Sequence, residues 1–201
     1  MKKIILTTAA IVAISSTNAI ATETNFYFKA SAGASALQKT KKLDNKTTGI
    51  FNFGAGYHIN HNLRADITID HLIKPSLKTK SDDGLVVNPS TKLGANSLLL
   101  NLYSDIYSNN TTSLFVGAGI GASRITGKVN FTDPNEVPRT GKIKESRHFA
   151  YALYTGVSTR IDHDIYGEIT YSFKDYGNIK TLNVKNKVRS HNLTVGLRVD
   201  I

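Results

Sequence analysis

The chain has 201 residues, no cysteine and a formal net charge of +10, with a mean hydropathy of −0.19. The length suits one domain, and the lack of cysteine excludes disulfides, thiol catalysis and thiolate metal sites. Excess positive charge can attract nucleic acid, but the export signal described next makes nucleic acid a poor candidate partner.

The first 21 residues have the three parts of a secretory signal peptide. Lys2 and Lys3 form the basic region, an apolar run follows over 4–14, and Ala19 and Ala21 supply the cleavage site. The apolar run is too short to be a transmembrane helix. We therefore predict cleavage after Ala21, with a signal peptide over 1–21 and one domain over 22–201.

Eight segments of the mature chain alternate between apolar and polar residues, the period expected of β-strands. In chain order the predicted strands are 25–36, 49–59, 63–71, 96–107, 113–125, 148–161, 165–173 and 190–201. The fourth is the least regular, because Leu99 breaks the alternation. The last is the clearest, since Leu193, Val195, Leu197 and Val199 share one face and polar residues occupy the other.

The connections between these strands alternate in length. Three are tight turns, at 60–62, 108–112 and 162–164. Four are long loops, at 37–48, 72–95, 126–147 and 174–189. Short periplasmic turns and long outer loops are typical of outer-membrane barrels, whereas a soluble barrel has no reason to keep its long loops at one end. We predict an all-β fold, an eight-stranded antiparallel transmembrane β-barrel in the outer membrane with three short periplasmic turns and four long extracellular loops.

The outward-facing aromatic residues fall at two heights of this predicted barrel, as the girdles of a membrane protein do. Those near the outer rim are Phe51, Phe53, Phe149, Tyr151, Tyr171 and Phe173, and those near the inner rim are Phe26, Phe28 and Tyr57.

The predicted interior carries charges of both signs in nearly equal number. They are Lys29, Arg64, Asp66, Asp70, Asp105, Arg160, Glu168, Arg198 and Asp200. Buried charges must be paired, so we predict an ion-pair network in the lumen. We prefer a structural role for it over a proton or ion path, because eight strands enclose a space that side chains can fill.

Several short motifs resemble functional sites, but the sequence supports none of them. Gly117 to Gly121 lies inside a predicted strand with no helix after it, so it does not predict a nucleotide site. His58 and His61 lack further ligands, and 162–164 reads as a polar turn. His71 and His148 are the rim histidines that an enzyme would need, and neither has an evident partner set. We predict no enzyme activity, no metal and no cofactor.

Positive charge is concentrated in the four predicted outer loops, which contain eighteen basic and seven acidic residues. The candidate binding residues of the third and fourth loops are Lys128, Arg139, Lys142, Lys144, Arg147, Lys180, Lys185, Lys187 and Arg189. Such a surface would attract acidic patches on host proteins or polyanionic glycans. The alternative is a merely solvated surface that neutralises an anionic outer leaflet.

Five segments resemble the opacity-type outer-membrane barrels, most closely the surface adhesins of rickettsiae. They are 26–30, 54–57 with 62–66, 116–122, 171–177 and 191–201. The resemblance implies assembly by the barrel assembly machinery in outer-membrane lipid, and binding to host-cell surface proteins or to serum proteins such as vitronectin. It identifies no binding residue, because the loops match least. The chain departs from the family in ending with Ile201, where such barrels often end in Phe.

Three other functions stay open at this point. An outer-membrane enzyme would need a supported His or Ser at the rim. A structural or weakly conducting barrel would have no specific receptor. A soluble periplasmic lipid carrier would need an apolar interior, whereas the predicted interior is charged.

Overall fold

The computed structural model describes residues 25–38, 46–73, 76–78, 87–132, 138–181 and 184–201. The predicted signal peptide, 1–21, lies outside these residues. The described part of the chain contains nine strands. In order the strands are β1 (Phe26–Leu37), β2 (Lys46–Asn60), β3 (Leu63–Leu72), β4 (Ser76–Lys78), β5 (Val87–Ser108), β6 (Thr112–Thr132), β7 (Pro138–Arg160), β8 (Ile165–Thr181) and β9 (Val184–Asp200).

Eight of these strands close into an antiparallel barrel, as the sequence predicted. Each pairs with its neighbours along the chain, β1 pairs with β9, and β3 pairs with β5. The three-residue strand β4 extends this pairing along β5 beyond the end of β3. Closure gives every barrel strand two partners, which a strand in lipid needs because its backbone groups find no water there.

The barrel has apolar residues on its outer face and polar residues inside, the reverse of a soluble protein. Along β3, Arg64, Asp66 and Asp70 are buried, while Ile67 and Ile69 are more than half exposed. Exposed Phe51, Phe53, Phe149 and Tyr171 lie towards one end and exposed Phe26, Phe28 and Tyr57 towards the other. Within the described part of the chain, no helix is long and apolar enough to cross a membrane.

The two ends of the barrel differ in the way the strands are joined. Tight turns at 61–62, 109–111 and 161–164 confirm the three predicted turns, and we name this the short-turn end. At the other end, which we name the hairpin end, β5 to β9 continue well past the predicted strand limits. β6 reaches Thr132 and β7 starts at Pro138, so most of the predicted loop 126–147 is strand.

The sequence pattern did not predict this extension of the strands, for a physical reason. The alternating pattern arises because one face of a strand lies in lipid and the other in the lumen. Beyond the membrane boundary neither face lies in lipid, so the pattern fades. The β-formers Val129, Phe131 and Ile143 still favour extended pairing, and β6 and β7 remain paired as far as Thr132 and Pro138, with one register shift between Ile125 and Gly127.

Leu99, which breaks the predicted alternation, faces the lumen and is only 1% exposed. It packs in one cluster with Tyr103, Phe115, Ala150, Ala152 and Tyr154. One sector of the lumen wall, on β5 to β7, is therefore apolar and aromatic. An interpretation of the sequence in which every inward residue is polar does not predict an apolar part of the lumen wall.

The close approach of β1 and β9 at Gly33 gives a first test of this packing. A Cβ added at Gly33 would overlap the backbone carbonyl oxygen of Leu193. We expect Gly33→Ala to lower the free energy of unfolding by about 1–3 kcal/mol, the usual cost of overpacking. Urea unfolding in lipid vesicles measures it. The matched control is Gly167→Ala, whose Cβ would meet the flexible tip of Ile161 at 3.0 Å. Equal losses in both variants would contradict the expected backbone clash.

Candidate functional site

Inward-facing side chains fill the lumen in three layers, which follow one another along β3. The arginine layer lies near the short-turn end and consists of Arg64, Glu168, Arg198 and Asp200. The aspartate layer lies in the middle and is centred on Asp66 and Asp70. The apolar layer lies towards the hairpin end and consists of Leu37, Ile50, Leu72, Ala95, Ile125 and Tyr176.

In the arginine layer two guanidinium groups share one carboxylate. Arg198 Nη1 donates to Glu168 Oε1 at 3.1 Å, and Arg64 Nη1 lies 3.4 Å from the same oxygen. Arg198 Nε also donates to Asp200 Oδ1 at 2.9 Å. The guanidinium of Arg64 lies 4.7 Å from the ring centroid of Phe115. Ion pairs and cation–π contacts together hold both arginines in the lumen.

Asp66 accepts hydrogen bonds from three side chains on two strands. Lys29 Nζ on β1 lies 2.5 Å from Asp66 Oδ2, Tyr27 on β1 donates its hydroxyl at 3.0 Å, and Asn101 on β5 donates at 2.7 Å. Tyr154 on β7 donates to Asn101 Oδ1 at 3.0 Å. The network therefore spans the lumen from β1 to β7, with the buried carboxylate fully satisfied.

Asp70 pairs with a residue that the sequence reading assigned to an outer loop. Lys174 Nζ lies 2.7 Å from Asp70 Oδ2, and both side chains are 2% exposed. Ser97 donates to the same carboxylate oxygen at 2.8 Å. Because β8 continues past Phe173, where the predicted strand ended, its side chains go on alternating and Lys174 faces the lumen. Lys174 therefore does not belong to the basic residues of the fourth outer loop, contrary to what the sequence predicted.

The apolar layer closes the lumen above the ion pairs. Its members come from β1, β2, β3, β5, β6 and β8, and Val188 of β9 packs against them. Leu37, Leu72 and Tyr176 lie just beyond predicted strand ends, where the sequence reading assigned loops. Ser123 donates its hydroxyl to the backbone carbonyl of Tyr176, which holds the β8 strand over the lumen.

Two residues of the predicted lumen network lie apart from these layers. Arg160 is exposed near the short-turn end, and its guanidinium lies 5.6 Å from the ring of Tyr166. Asp105 is partly exposed, and neither residue forms an ion pair with another residue in the part of the chain that the structure describes. Lys29, Arg64, Asp66, Asp70, Glu168, Arg198 and Asp200 lie in the layers.

The lumen leaves little empty space beside the aspartate layer and more at the short-turn end. A cavity of about 30 Å³ lies beside the aspartate layer, lined by Lys29, Asp70, Tyr103, Glu168 and Lys174 among others. This volume holds roughly one water molecule. A second cavity of about 510 Å³ opens at the short-turn end. The layers above separate it from the hairpin end.

The open cavity at the short-turn end contains the residues that the sequence suggested for metal binding. His58 and His61 both line it, and His58 Nε2 lies 3.4 Å from Asp200 Oδ1. Over the described ranges, no three His, Cys, Asp or Glu side chains converge as metal ligands would. In the adjacent turn, the backbone N–H of His163 donates to Asp162 at 2.8 Å, which lowers the pKa of that carboxyl group.

The hairpin end contains the nine predicted binding residues. Arg147 and Lys187 are exposed, and Arg189 donates from Nε to Asp175 Oδ2 at 2.8 Å, which raises the pKa of Arg189. The other six lie in strands of the described backbone, while their side chains lie outside the described part. They are Lys128, Arg139, Lys142, Lys144, Lys180 and Lys185. Lys128 is the register partner of Lys142, and Lys180 of Lys185.

Residues 6–200 match the outer membrane protein beta-barrel domain. The chain belongs to this family of outer-membrane barrels. A curated relative from Rickettsia bellii (strain RML369-C), named "Putative adhesin", is 33% identical over 228 residues and is covered completely, as is this chain.

Two solved barrels show the same fold. Neisserial surface protein A covers 88% of this chain with 97% of its own, at a TM-score of 0.62 and 19% identity. Ail, the attachment invasion locus protein of Yersinia pestis, covers 88% with 99% of its own, at a TM-score of 0.52 and 17% identity. Family and fold together locate the chain in the outer membrane.

The two rim histidines of this outer-membrane barrel do not form a relay. His71 Nδ1 lies 2.6 Å from Asn96 Oδ1, and His148 packs against Gly177 on the neighbouring strand. His148 Nε2 is buried without a hydrogen-bond partner. An amide partner holds an imidazole in place but does not stabilise its protonated form as a carboxylate does.

Four residues with a part in the lumen network had no predicted role. They are Tyr27, Asn101, Tyr103 and Tyr154. The alternation of the sequence predicts that these side chains face inward, but it cannot show their partners, which lie on other strands. A Cβ on Gly56 would overlap the ring of Tyr27, and a Cβ on Gly117 would overlap the ring of Tyr103. The inward glycines were therefore the one feature of the sequence that indicated large rings in the lumen.

Proposed function

We propose that this outer-membrane barrel is an adhesin whose hairpin end faces the cell exterior and binds acidic surfaces of host-cell or serum proteins. The observation that carries the proposal is the set of long, basic hairpins formed by β5 to β9. Outer-membrane barrels have short periplasmic turns and long extracellular loops, which favours this orientation. The relatives named as adhesins support the same role.

The filled lumen directs the search for function to the outside of the barrel. The cavity beside the aspartate layer holds roughly one water molecule and is too small for a sizeable ligand, and the larger cavity opens at the short-turn end, opposite the hairpins. The hairpins, by contrast, stand on a rigid barrel, where binding residues are commonly found. Their basic excess would speed encounter with acidic partners, and that contribution falls as salt rises.

Shortening either long hairpin tests this proposal. Replacing 129–141 by Asn-Gly joins the register partners Lys128 and Lys142 through a two-residue turn. Replacing 181–184 by Asn-Gly does the same between Lys180 and Lys185. We expect each variant, displayed on a non-adherent Gram-negative host, to lose adhesion to cultured host cells because the contact surface is removed. Adhesion is counted per displayed barrel, with heat-modifiable migration as the check on folding.

A charge-only variant separates the shape of the hairpin from its charge. Changing Arg139, Lys142 and Lys144 to Gln keeps the hairpin length and removes three positive charges. We expect reduced adhesion whose remaining part falls less steeply with added salt than that of wild type. Full adhesion by both shortened variants would contradict the proposal. It would favour the alternative, a structural or weakly conducting barrel without a specific receptor.

A further inference from the structure

The open cavity at the short-turn end has the size and the polar wall of a binding site. Its volume of about 510 Å³ lies within the range of small-molecule sites. Amide side chains form part of the wall, at Asn25, Asn60, Asn109 and Asn110. A side-chain amide carries the same kinds of donor and acceptor as a peptide group, so the two pair readily. The wall therefore suits a ligand that contains peptide groups.

Two charged side chains of opposite sign line this cavity outside the ion pairs of the lumen. Over the described ranges, neither Arg160 on β7 nor Asp105 on β5 forms an ion pair, and Asp105 Oδ1 has no hydrogen-bond partner. The other two charged residues of the wall, Arg198 and Asp200, pair with each other. The cavity thus offers one guanidinium group and one carboxylate to a ligand. A ligand with a single charge would leave one of the two unmatched.

Ser158 adds a buried hydroxyl group next to Arg160. The two residues are two positions apart on β7, so their side chains share the inward face of the strand. Ser158 lines the cavity and is 1% exposed, yet its Oγ has no hydrogen-bond partner. Buried hydroxyl groups are normally hydrogen-bonded, so this one calls for a partner. The hydroxyl of Ser158 and the guanidinium of Arg160 together are suitable donors for a carboxylate.

The separation of Asp105 from Arg160 sets the length of the ligand. Asp105 is the register partner of Phe115, which pairs with Gly156, and Arg160 lies four residues further along β7. With a strand spacing of about 4.8 Å and a rise of about 3.3 Å per residue, the two Cα atoms lie on the order of 15 Å apart. The long arginine side chain covers part of this distance. An extended tripeptide, which spans at most about 10 Å, matches the rest.

We propose that the short-turn end of the barrel binds a short peptide with free ends. Arg160 and Ser158 hold its carboxylate, and Asp105 holds its ammonium group. The amide side chains of the wall pair with its peptide groups, while a single amino acid is too short to reach both ends. This site goes beyond the adhesin function and does not depend on it, because it lies at the end of the barrel opposite the hairpins.

Isothermal titration calorimetry of the full barrel in neutral detergent tests the proposal, with trialanine as the probe. N-acetyl-trialanine lacks the ammonium group, and trialanine amide lacks the carboxylate. We expect trialanine to bind about tenfold more tightly than either, the low end of what hydrogen bonds to charged groups contribute. Equal affinity for all three peptides would overturn the site, as would the absence of binding at millimolar trialanine. This comparison uses the wild-type barrel and does not depend on the folding of a variant.

Substitutions assign each end of the peptide to its partner. Asp105→Asn should weaken trialanine binding about tenfold and leave N-acetyl-trialanine unaffected, because the acetylated peptide has no ammonium group to lose. Arg160→Gln should weaken trialanine equally and leave trialanine amide unaffected. A loss of Asp105→Asn that extended equally to N-acetyl-trialanine would overturn the assignment.

The matched control is Asp164→Asn, the same change at an exposed carboxylate in the adjacent turn. It should bind trialanine as the wild type does. A loss equal to that of Asp105→Asn would show that only net charge matters and would overturn the site. Heat-modifiable migration of each variant shows that the barrel is folded.

Discussion

Replacing Lys174 with methionine should lower the free energy of unfolding by about 3–5 kcal/mol, the usual cost of breaking a buried ion pair from one side. Methionine fills a similar volume, so the loss reports the charge and not a cavity. Asp70 would keep Ser97 as a donor but would lose the ammonium group that lies 2.7 Å from its carboxylate. The cavity beside this ion pair holds roughly one water molecule, so solvent offers little compensation.

Urea unfolding in lipid vesicles measures this loss, with two variants as controls. Asp70→Asn combined with Lys174→Met removes both charges, and we expect it to recover most of the stability. Arg147→Met changes an exposed arginine on β7 and should stay within about 0.5 kcal/mol of wild type, as surface substitutions do. If Lys174→Met were as mild as Arg147→Met, Lys174 would not be buried against Asp70.

Replacing Glu168 with glutamine should be equally severe, at about 3–5 kcal/mol, because it leaves two buried guanidinium groups without their shared carboxylate. Arg198 would keep Asp200, whereas Arg64 has no other ion-pair partner within the described residues. The loss should therefore arise mainly from Arg64. The same urea unfolding measurement applies.

A second substitution tests this assignment. Arg64→Met added to Glu168→Gln leaves the Arg198–Asp200 pair intact and should restore most of the lost stability. Asp105→Asn, a partly exposed carboxylate outside the ion pairs, is the control and should cost less than about 1 kcal/mol. If the double variant were no more stable than Glu168→Gln alone, the shared-carboxylate arrangement would be wrong.

Much of the barrel was readable from alternation alone. Arg64, Asp66 and Asp70 were predicted to face inward and Ile67 and Ile69 outward, and the structure places them so. Strand parity follows from the extended backbone, and the membrane demands apolar side chains on one face. The three tight turns were readable for the same reason, since each interrupts the alternation briefly.

The sequence was a poorer guide to which inward residues meet. Lys29 and Asp66 lie on different strands, and so do Asp70 and Lys174, with distances set by barrel closure and strand stagger. Arg160, predicted to face inward like Arg198, lies exposed near the short-turn end. The position of a residue in the alternation determines whether its side chain faces inward or outward. Its height in the closed barrel decides whether that side chain is shielded from water.

The sequence by itself therefore determined the strand faces, the turns and the outer-membrane barrel, because each depends on residues adjacent along one strand. Tertiary structure alone decided that Lys174 turns into the lumen, that the strands extend past the membrane boundary, and that Asp105 and Arg160 line one cavity. Each of these depends on the register between strands. Register is set by cross-strand packing and hydrogen bonding around the whole closed barrel, which no single stretch of sequence contains.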